Sequence, residues 1–370
     1  MPAASVKAFV GIDAGTTGCT VMIFDERGNA LGHGYEEYPC VSPNPGWSEQ
    51  DVEAVWKGIC NASKQAVKKA ALPASAYQSV GLSSQRGTVC LLDEKKRSLA
   101  NSIVWNCGRA LKYQEIIAKQ ISPEEHQTHT GMQLSPLWVA SKIAWLRDNE
   151  PELFKKIRWF ANGQEYFLYR LGADQWVTDP ASLTLNGMME IRKLDWSDRI
   201  LSIIGISRDL LPPVGIPTGI AGKVSKEASE ATGLPEGTVL CRGAGDQQCA
   251  AIGAGVIRQG MAEFTVGTSG VMVAHLDSLD RIKGRNLWWG GHGVPGAWDI
   301  EGAAFSLGAS LKWWRNNLGR DEIEDGQRSN RSPYSVMVES ALRSPPGAKG
   351  VIFHSFMSSQ VTPYYDAASR

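Results

Sequence analysis

No stretch of about 18 consecutive apolar residues occurs in this chain, so the sequence offers no helix able to span a membrane. The opening residues, Met1 to Lys7, hold no apolar segment of the secretory type, and a soluble cytoplasmic protein is the expectation. Charge of neither sign is in excess. The 38 Lys and Arg residues face 38 Asp and Glu, which leaves no net field to gather nucleic acid or an anionic membrane, and a small-molecule partner follows. Cysteine pairs are missing too: Cys19, Cys40, Cys60, Cys90, Cys107, Cys241 and Cys249 are odd in number and scattered, without C-x-x-C or metal-ligand spacing. Reduced thiols are expected, rather than a disulfide framework or a zinc site. Also absent is any G-x-x-x-x-G-K-[ST] sequence, which excludes a Walker-type nucleotide loop, and Gly243-x-Gly245 lacks the third glycine of a dinucleotide fingerprint.

What is present is a core large enough for two domains, at 370 residues. Ala8 to Asp13, Cys19 to Phe24 and Ala30 to Tyr38 read as a meander of three strands, with turns at Ala14 to Gly18 and Asp25 to Asn29. Asp51 to Lys69 has helical spacing through Val52, Val55, Trp56, Ile59 and Ala62, and a strand from Ser79 ends in the polar cluster Ser83 to Arg86. Trp138 to Asn149 and Gly163 to Leu171 read as helices, and the strand from Val239 to Arg242 stops in Gly243-Ala244-Gly245-Asp246. This alternation predicts a mixed α/β fold. Ala262 to His275 repeats the opening pattern of strand, Gly-Thr-Thr/Ser-Gly turn and strand, which suggests a duplicated domain with a cleft between the copies. The boundary is placed near Gly253 to Gly260, giving domains of residues 1–254 and 255–370.

A Gly-Thr-Thr-Gly turn after a buried strand presents consecutive backbone N–H groups and two hydroxyls, which suits an anion. Gly15-Thr16-Thr17-Gly18 and Gly267-Thr268-Ser269-Gly270 are two such turns, and Asp13 precedes the first with a carboxylate able to hold a divalent cation. An ordinary hairpin explains one copy; two copies, one with an acidic residue ahead of it, point to phosphate. His126 and His129 have the spacing of a metal pair but no third ligand nearby, and a solvated helix start is the simpler reading. Thirteen tryptophans, with pairs at Trp288-Trp289 and Trp313-Trp314, are read as core aromatics rather than sugar platforms, Trp105 excepted.

Taken together, Phe9 to Gly18, Leu82 to Arg86, Lys142 to Asn149, Gly245-Asp246-Gln247-Gln248, Gly267 to Gly270 and Glu301 to Trp313 resemble, in order and over the whole chain, the landmarks of the FGGY carbohydrate kinases. The resemblance implies an α/β protein of two actin-like, ribonuclease H-like domains around a cleft, sugar held by the first and ATP by the second. It implies ATP-dependent phosphorylation of a small sugar or polyol, with ATP and Mg2+ as cofactors. Asp246 becomes the catalytic base and Asp13 the Mg2+-linked carboxylate. Phosphate and nucleotide contacts fall on Gly15, Thr16, Thr17, Gly267, Thr268, Ser269, Gly308 and Lys312, and substrate contacts on Arg86, Gly87, Trp105, Leu137 and Gln247. A carboxylate at a glycine-flanked strand end suits the acceptor of a hydroxyl proton, although Gly245-Asp246 also fits a simple Asx-turn.

The chain departs from the family at several positions. Glycerol kinases carry glutamate where Gly87 stands and tyrosine where Leu137 stands; without that carboxylate and phenol a polyol's hydroxyls are poorly paired, which disfavours glycerol. Xylulose kinases carry Met-His-Gly where Gln85-Arg86-Gly87 stands, and the arginine also resembles the autoinducer-2 kinases. Asn106 and Cys107 follow Trp105 in place of an acidic residue, and pentulose stays first among substrates. Phe353 to Asp366 resembles the segment before the family's second signature helix, Val361 replaces the arginine usual before Thr362-Pro363, and the chain stops at Arg370. The expectation is an incomplete second domain, either a fragment or a shortened homologue, with uncovered apolar surface and association as a homodimer. Two other readings stay open: a non-catalytic nucleotide-binding relative of the actin-like fold, and an ATPase with water as acceptor.

Overall fold

The computed structural model describes residues 6–267, 269–282, 287–304, 306–355, 357 and 362. Thr268, Val361 and Pro363 lie outside the described residues. The meander forms as β1 (Ala8–Ala14), β2 (Gly18–Asp25) and β3 (Ala30–Glu37), antiparallel, with Val10 opposite Ile23 and Ile12 opposite Val21. Because side chains alternate across a strand, Val10, Ile12, Val21 and Ile23 are buried on one face, whereas Phe9, Gly11 and Asp13 are open on the other. The buried face packs against α1 (Val52–Ala70), which turns Val52, Val55, Trp56, Ile59, Ala62 and Ala66 toward the core. Asp51 starts this helix by accepting the Glu53 N–H, and the chain leaves it through Ala71 in the left-handed region, φ 49°.

Helix α1 is the crossover that lets the next strand, Tyr77–Ser84, lie parallel to β1. Strand Val239–Gly245 is parallel to that one in turn, and Ile220–Lys223 closes the edge in the antiparallel sense. The order across this six-stranded sheet is Ile220–Lys223, Val239–Gly245, Tyr77–Ser84, β1, β2, β3. A second, four-stranded sheet of Glu49–Gln50, Ser98–Ile103, Val89–Leu92 and Trp159–Ala161 is antiparallel, and its own core includes Ile103, Ile143, Phe160, Leu183 and Ile200.

The chain forms two compact units, Met1–Met261 with Ala274–Ile300, and Ala262–Val273 with Glu301–Arg370. The second contains strand Ala262–Val266 and residues 270–273 of the strand beside it, followed by helices Leu307–Asn317, Arg320–Ser329 and Pro333–Leu342. Phe264, Val266, Leu318, Val338 and Leu342 of this unit are exposed.

Two local readings need correction. The strand read as ending at Arg242 runs on to Gly245, because Gly243 takes a positive φ of 73° and makes a bulge that keeps the pairing with Tyr77–Ser84. The histidines do sit on a helix capped by Ser122, but His126 is buried, 1% exposed, with Nδ1 2.9 Å from the Met132 carbonyl oxygen, and His129 Nε2 lies 2.6 Å from Ser197 Oγ. Both are structural rather than solvated. Among the described residues no group of three or more His, Cys, Asp or Glu is placed to hold a metal.

Candidate active site

Three parallel strands bring their carboxyl ends to one edge of the main sheet, where open α/β sheets bind ligands. Each end carries a predicted residue: Asp13 on β1, Arg86 just past Tyr77–Ser84, and Asp246 directly after Val239–Gly245. Register makes them neighbours, since Ser84 pairs with Ala14 on one side and Gly245 on the other, and Ser83 pairs with Asp13.

The bulge at Gly243 sets where Asp246 falls. A Cβ there would stand 1.7 Å from the Leu82 carbonyl oxygen, so a side chain is excluded as well as disfavoured by φ. Gln164 closes the gap: its Nε2 donates to the Leu82 carbonyl at 2.9 Å and also to that of Arg242. Asp246 then opens helix Asp246–Gly253. Its Oδ1 accepts the Gln247 N–H at 2.9 Å and lies 3.4 Å from Arg86 Nε; the Arg86 side chain is 4% exposed and that of Asp246 35%. The bond to Gln247 is to the next residue's N–H, not the contact two residues on that an Asx-turn makes. The buried guanidinium beside a reachable carboxylate is what a capping role alone does not require.

Asp13 Oδ1 accepts from Ser83 Oγ at 2.7 Å. The carboxylate is open to a cleft of about 330 Å3 lined by Ile12, Met22, Leu82, Gly243 and Cys249 among others. Desolvation by these walls raises its pKa above the ordinary carboxylate value, against the opposing effect of the Ser83 bond. Burial pushes the Cys249 thiol up to about 12, so it is no nucleophile.

The first Gly-Thr turn closes by a Gly15 N–H to Gly18 carbonyl bond of 3.1 Å, and Tyr38 Oη donates to the Gly15 carbonyl at 2.7 Å. Thr17 is exposed. Thr16 is engaged within the protein: its hydroxyl donates to Gln85 Oε1 at 2.9 Å and accepts from Trp105 Nε1 at 3.0 Å, and Gln50 Nε2 donates to its carbonyl at 2.7 Å. Sequence reasoning placed a phosphate contact on that hydroxyl without seeing that its one proton is committed to Gln85. Gln50 and Gln85, which bond each other at 2.7 Å, were not singled out, and neither was Ser83 as a partner of Asp13. The polar cluster at the end of an apolar strand was the signal for Ser83 and Gln85; Gln50 had none.

Gly87 has φ 69°, and a Cβ on it would meet Leu185 Cβ at 3.1 Å and Trp105 Cβ at 3.3 Å. Leu137 is half-buried, its N–H donating to Ser135 Oγ at 3.2 Å. Gln247 Oε1 is buried with no donor among the described residues.

In the second unit, Gly267, Gly308 and Lys312 line one cleft of about 730 Å3 with Trp313, Asn316 and Tyr334. The Gly308 N–H donates to the Gly267 carbonyl at 3.1 Å, which pins the start of helix Leu307–Asn317 to the second Gly-Thr turn. That turn closes more tightly than the first, Gly267 N–H to Ser269 carbonyl at 2.8 Å. Ser269 does not line this cleft. Of the paired tryptophans, Trp288 is a core residue, edge-on to Trp138 at 5.6 Å, whereas Trp313 is 42% exposed.

Residues 8–253 match the model of the N-terminal domain of the FGGY family of carbohydrate kinases. Curated relatives include a glycerol kinase of Thermococcus onnurineus, 31% identical over 92% of this chain and 70% of that one, and a gluconokinase of Bacillus subtilis, 27% identical over 98% and 70%. Among solved structures, a ligand-bound xylulose kinase from Lactobacillus acidophilus superposes with a TM-score of 0.86 at 22% identity, covering 98% of this chain and 71% of that one. The mixed α/β fold, the residues gathered at the strand ends and these likenesses agree: the chain belongs to the FGGY family of carbohydrate kinases, phosphotransferases that use ATP and take an alcohol group as acceptor.

Proposed function

We propose that this kinase phosphorylates a hydroxyl of a pentulose such as xylulose, with Asp246 as general base. The observation that carries the chemistry is the meeting of Asp13, Arg86 and Asp246 at the ends of three adjacent parallel strands. In the proposed step the sugar hydroxyl gives its proton to the Asp246 carboxylate while its oxygen bonds to the γ-phosphorus. The bond from that phosphorus to the β,γ-bridging oxygen breaks, and ADP leaves with the electron pair. Positioning and electrostatics supply most of the rate in such reactions. Arg86 is proposed to orient both base and sugar, and Gln247 Oε1, buried without a described donor, to accept from a sugar hydroxyl.

Nucleotide contacts are proposed on Gly15, Thr17, Gly267, Thr268, Ser269, Gly308 and Lys312, and on Thr16 through its backbone rather than its committed hydroxyl. Residues 1–254 would form the sugar domain and 255–370 the nucleotide domain. Mg2+ is proposed on Asp13. One open carboxylate with no cluster of protein ligands around it among the described residues suits Mg2+, which keeps waters and phosphate oxygens in its shell and would neutralise developing charge on the phosphoryl group. Seven free thiols support a reducing, cytoplasmic setting.

Substrate choice rests on Gly87 and Leu137. The left-handed backbone at Gly87, with Leu185 Cβ 3.1 Å from where a Cβ would stand, disfavours the glutamate that serves glycerol, and Leu137 offers no phenol. A thermal-shift screen of this chain against pentuloses, hexuloses, polyols, gluconate and autoinducer-2 tests the reading, since binding raises stability as RT ln(1 + [L]/Kd). A selective upward shift with a pentulose is expected; a shift with glycerol or gluconate instead would overturn the substrate assignment.

A further inference from the structure

Helix Val139–Asn149 carries one cation on its buried face. Lys142 is fully buried, 0% exposed, among Val139, Ala140, Ile143 and Ala144, and no carboxylate pairs with it among the described residues. Its Nζ instead donates to three backbone carbonyls: Gly87 at 3.0 Å, Val104 at 2.9 Å and Trp105 at 3.1 Å. An ammonium has three N–H donors and no acceptor, so all three are used; a neutral amine could serve only two. Burying a charge against dipoles alone is costly, and an apolar side chain of the same length would fill the position more cheaply. Burial accordingly pushes the Lys142 pKa down to about 7, with the Arg109 guanidinium acting in the same sense and Cys107 opposing.

The three carbonyls belong to the two loops that flank the hairpin of Val89–Leu92 and Ser98–Ile103, in which Val89 stands opposite Ile103. One follows strand Tyr77–Ser84 and carries Arg86 and Gly87; the other follows Ser98–Ile103 and carries Trp105. Both present residues assigned above to the sugar, and Trp105 is tied further by its own N–H to Thr88 Oγ1 at 3.2 Å.

We infer that Lys142 is a positioning residue for the sugar: its ammonium fastens the Arg86–Gly87 loop to the Trp105 loop and so fixes the width of the acceptor pocket from behind, without touching substrate. The inference rests on the proposed sugar-binding role of these loops. It predicts a selective defect. Lys142→Met, close in volume, should raise the acceptor KM at least tenfold and leave the ATP KM within twofold, because no residue proposed for ATP contacts Lys142.

Steady-state kinetics on the full chain, with both substrates varied, read this directly, and circular dichroism matched to wild type confirms the fold. If Lys142→Met does not accumulate folded, Lys142→Gln keeps two donors, and a three- to tenfold rise in acceptor KM is expected. An acceptor KM within twofold of wild type, or equal rises in both KM values, would overturn the positioning role. Trp105→Ala separates the two levels of argument. If it leaves the acceptor KM unchanged, the sugar-wall reading fails whatever Lys142 does; if it raises KM, the double variant with Lys142→Met should show less than the sum of the two effects, as for residues acting through one loop.

Discussion

At the scale of single residues, the molecule keeps several ionisable groups where water does not reach them, and their environments decide what they do. Glu165 is the clearest case outside the strand ends. It is fully buried on helix Gly163–Leu171, and its Oε1 accepts from Asn162 Nδ2 at 3.0 Å while Oε2 has no donor among the described residues. Burial raises its pKa to about 7, against the pull of its bonds to Thr178 and Asn162 and with Asp179 adding to the rise. A group whose folded pKa lies above its unfolded value stabilises the fold fully below the unfolded pKa, and that contribution is lost as pH rises through the folded one. Stability from Glu165 is therefore expected to fall between about pH 4.5 and 7. Glu165→Gln should flatten that fall and raise stability at pH 8 by on the order of 1–3 kcal/mol, measured by urea denaturation at several pH values. A variant with the same pH profile as wild type would show that Glu165 titrates normally.

At the scale of elements, the bulge in Val239–Gly245 carries the most consequence, because it delivers Asp246 to the strand edge. Gly243→Ala puts a methyl into the Leu82 carbonyl and keeps a left-handed backbone, so a loss of about 3 kcal/mol or more is expected, with turnover falling further than stability alone explains. Wild-type melting and turnover in this variant would contradict the role given to the bulge.

The same elements show what a reader of the sequence could and could not see. The meander, α1 and the helices at 139–149 and 163–171 follow from apolar spacing and punctuation by Gly, Asp and Asn, which act locally. The carboxylates at strand ends were visible as breaks in apolar runs. The extension of a strand through Gly243 was not, since glycine reads as a turn unless its distant partners, Leu82 and Gln164, are known. Nor was the engagement of Thr16 by Gln85 and Trp105, because both partners lie far off in sequence. Lys142 left a trace, a charge within an apolar stripe, but its three carbonyl partners come from two other loops.

At the scale of the whole molecule, the first unit holds the proposed base, cation ligand and sugar contacts, and the second holds the cleft of Gly267, Gly308 and Lys312. The chain spans about 70% of the length of the glycerol kinase and gluconokinase it resembles. The central claim is that Asp246 is the base of phosphoryl transfer from ATP to a small carbohydrate. The most direct test measures labelled γ-phosphate transfer from ATP to xylulose by wild type and Asp246→Asn, with xylulose-induced thermal shifts recorded on both. Loss of transfer by about 100- to 10,000-fold with the shift retained is the predicted result. Equal turnover in the two proteins, with xylulose bound by both, would contradict it.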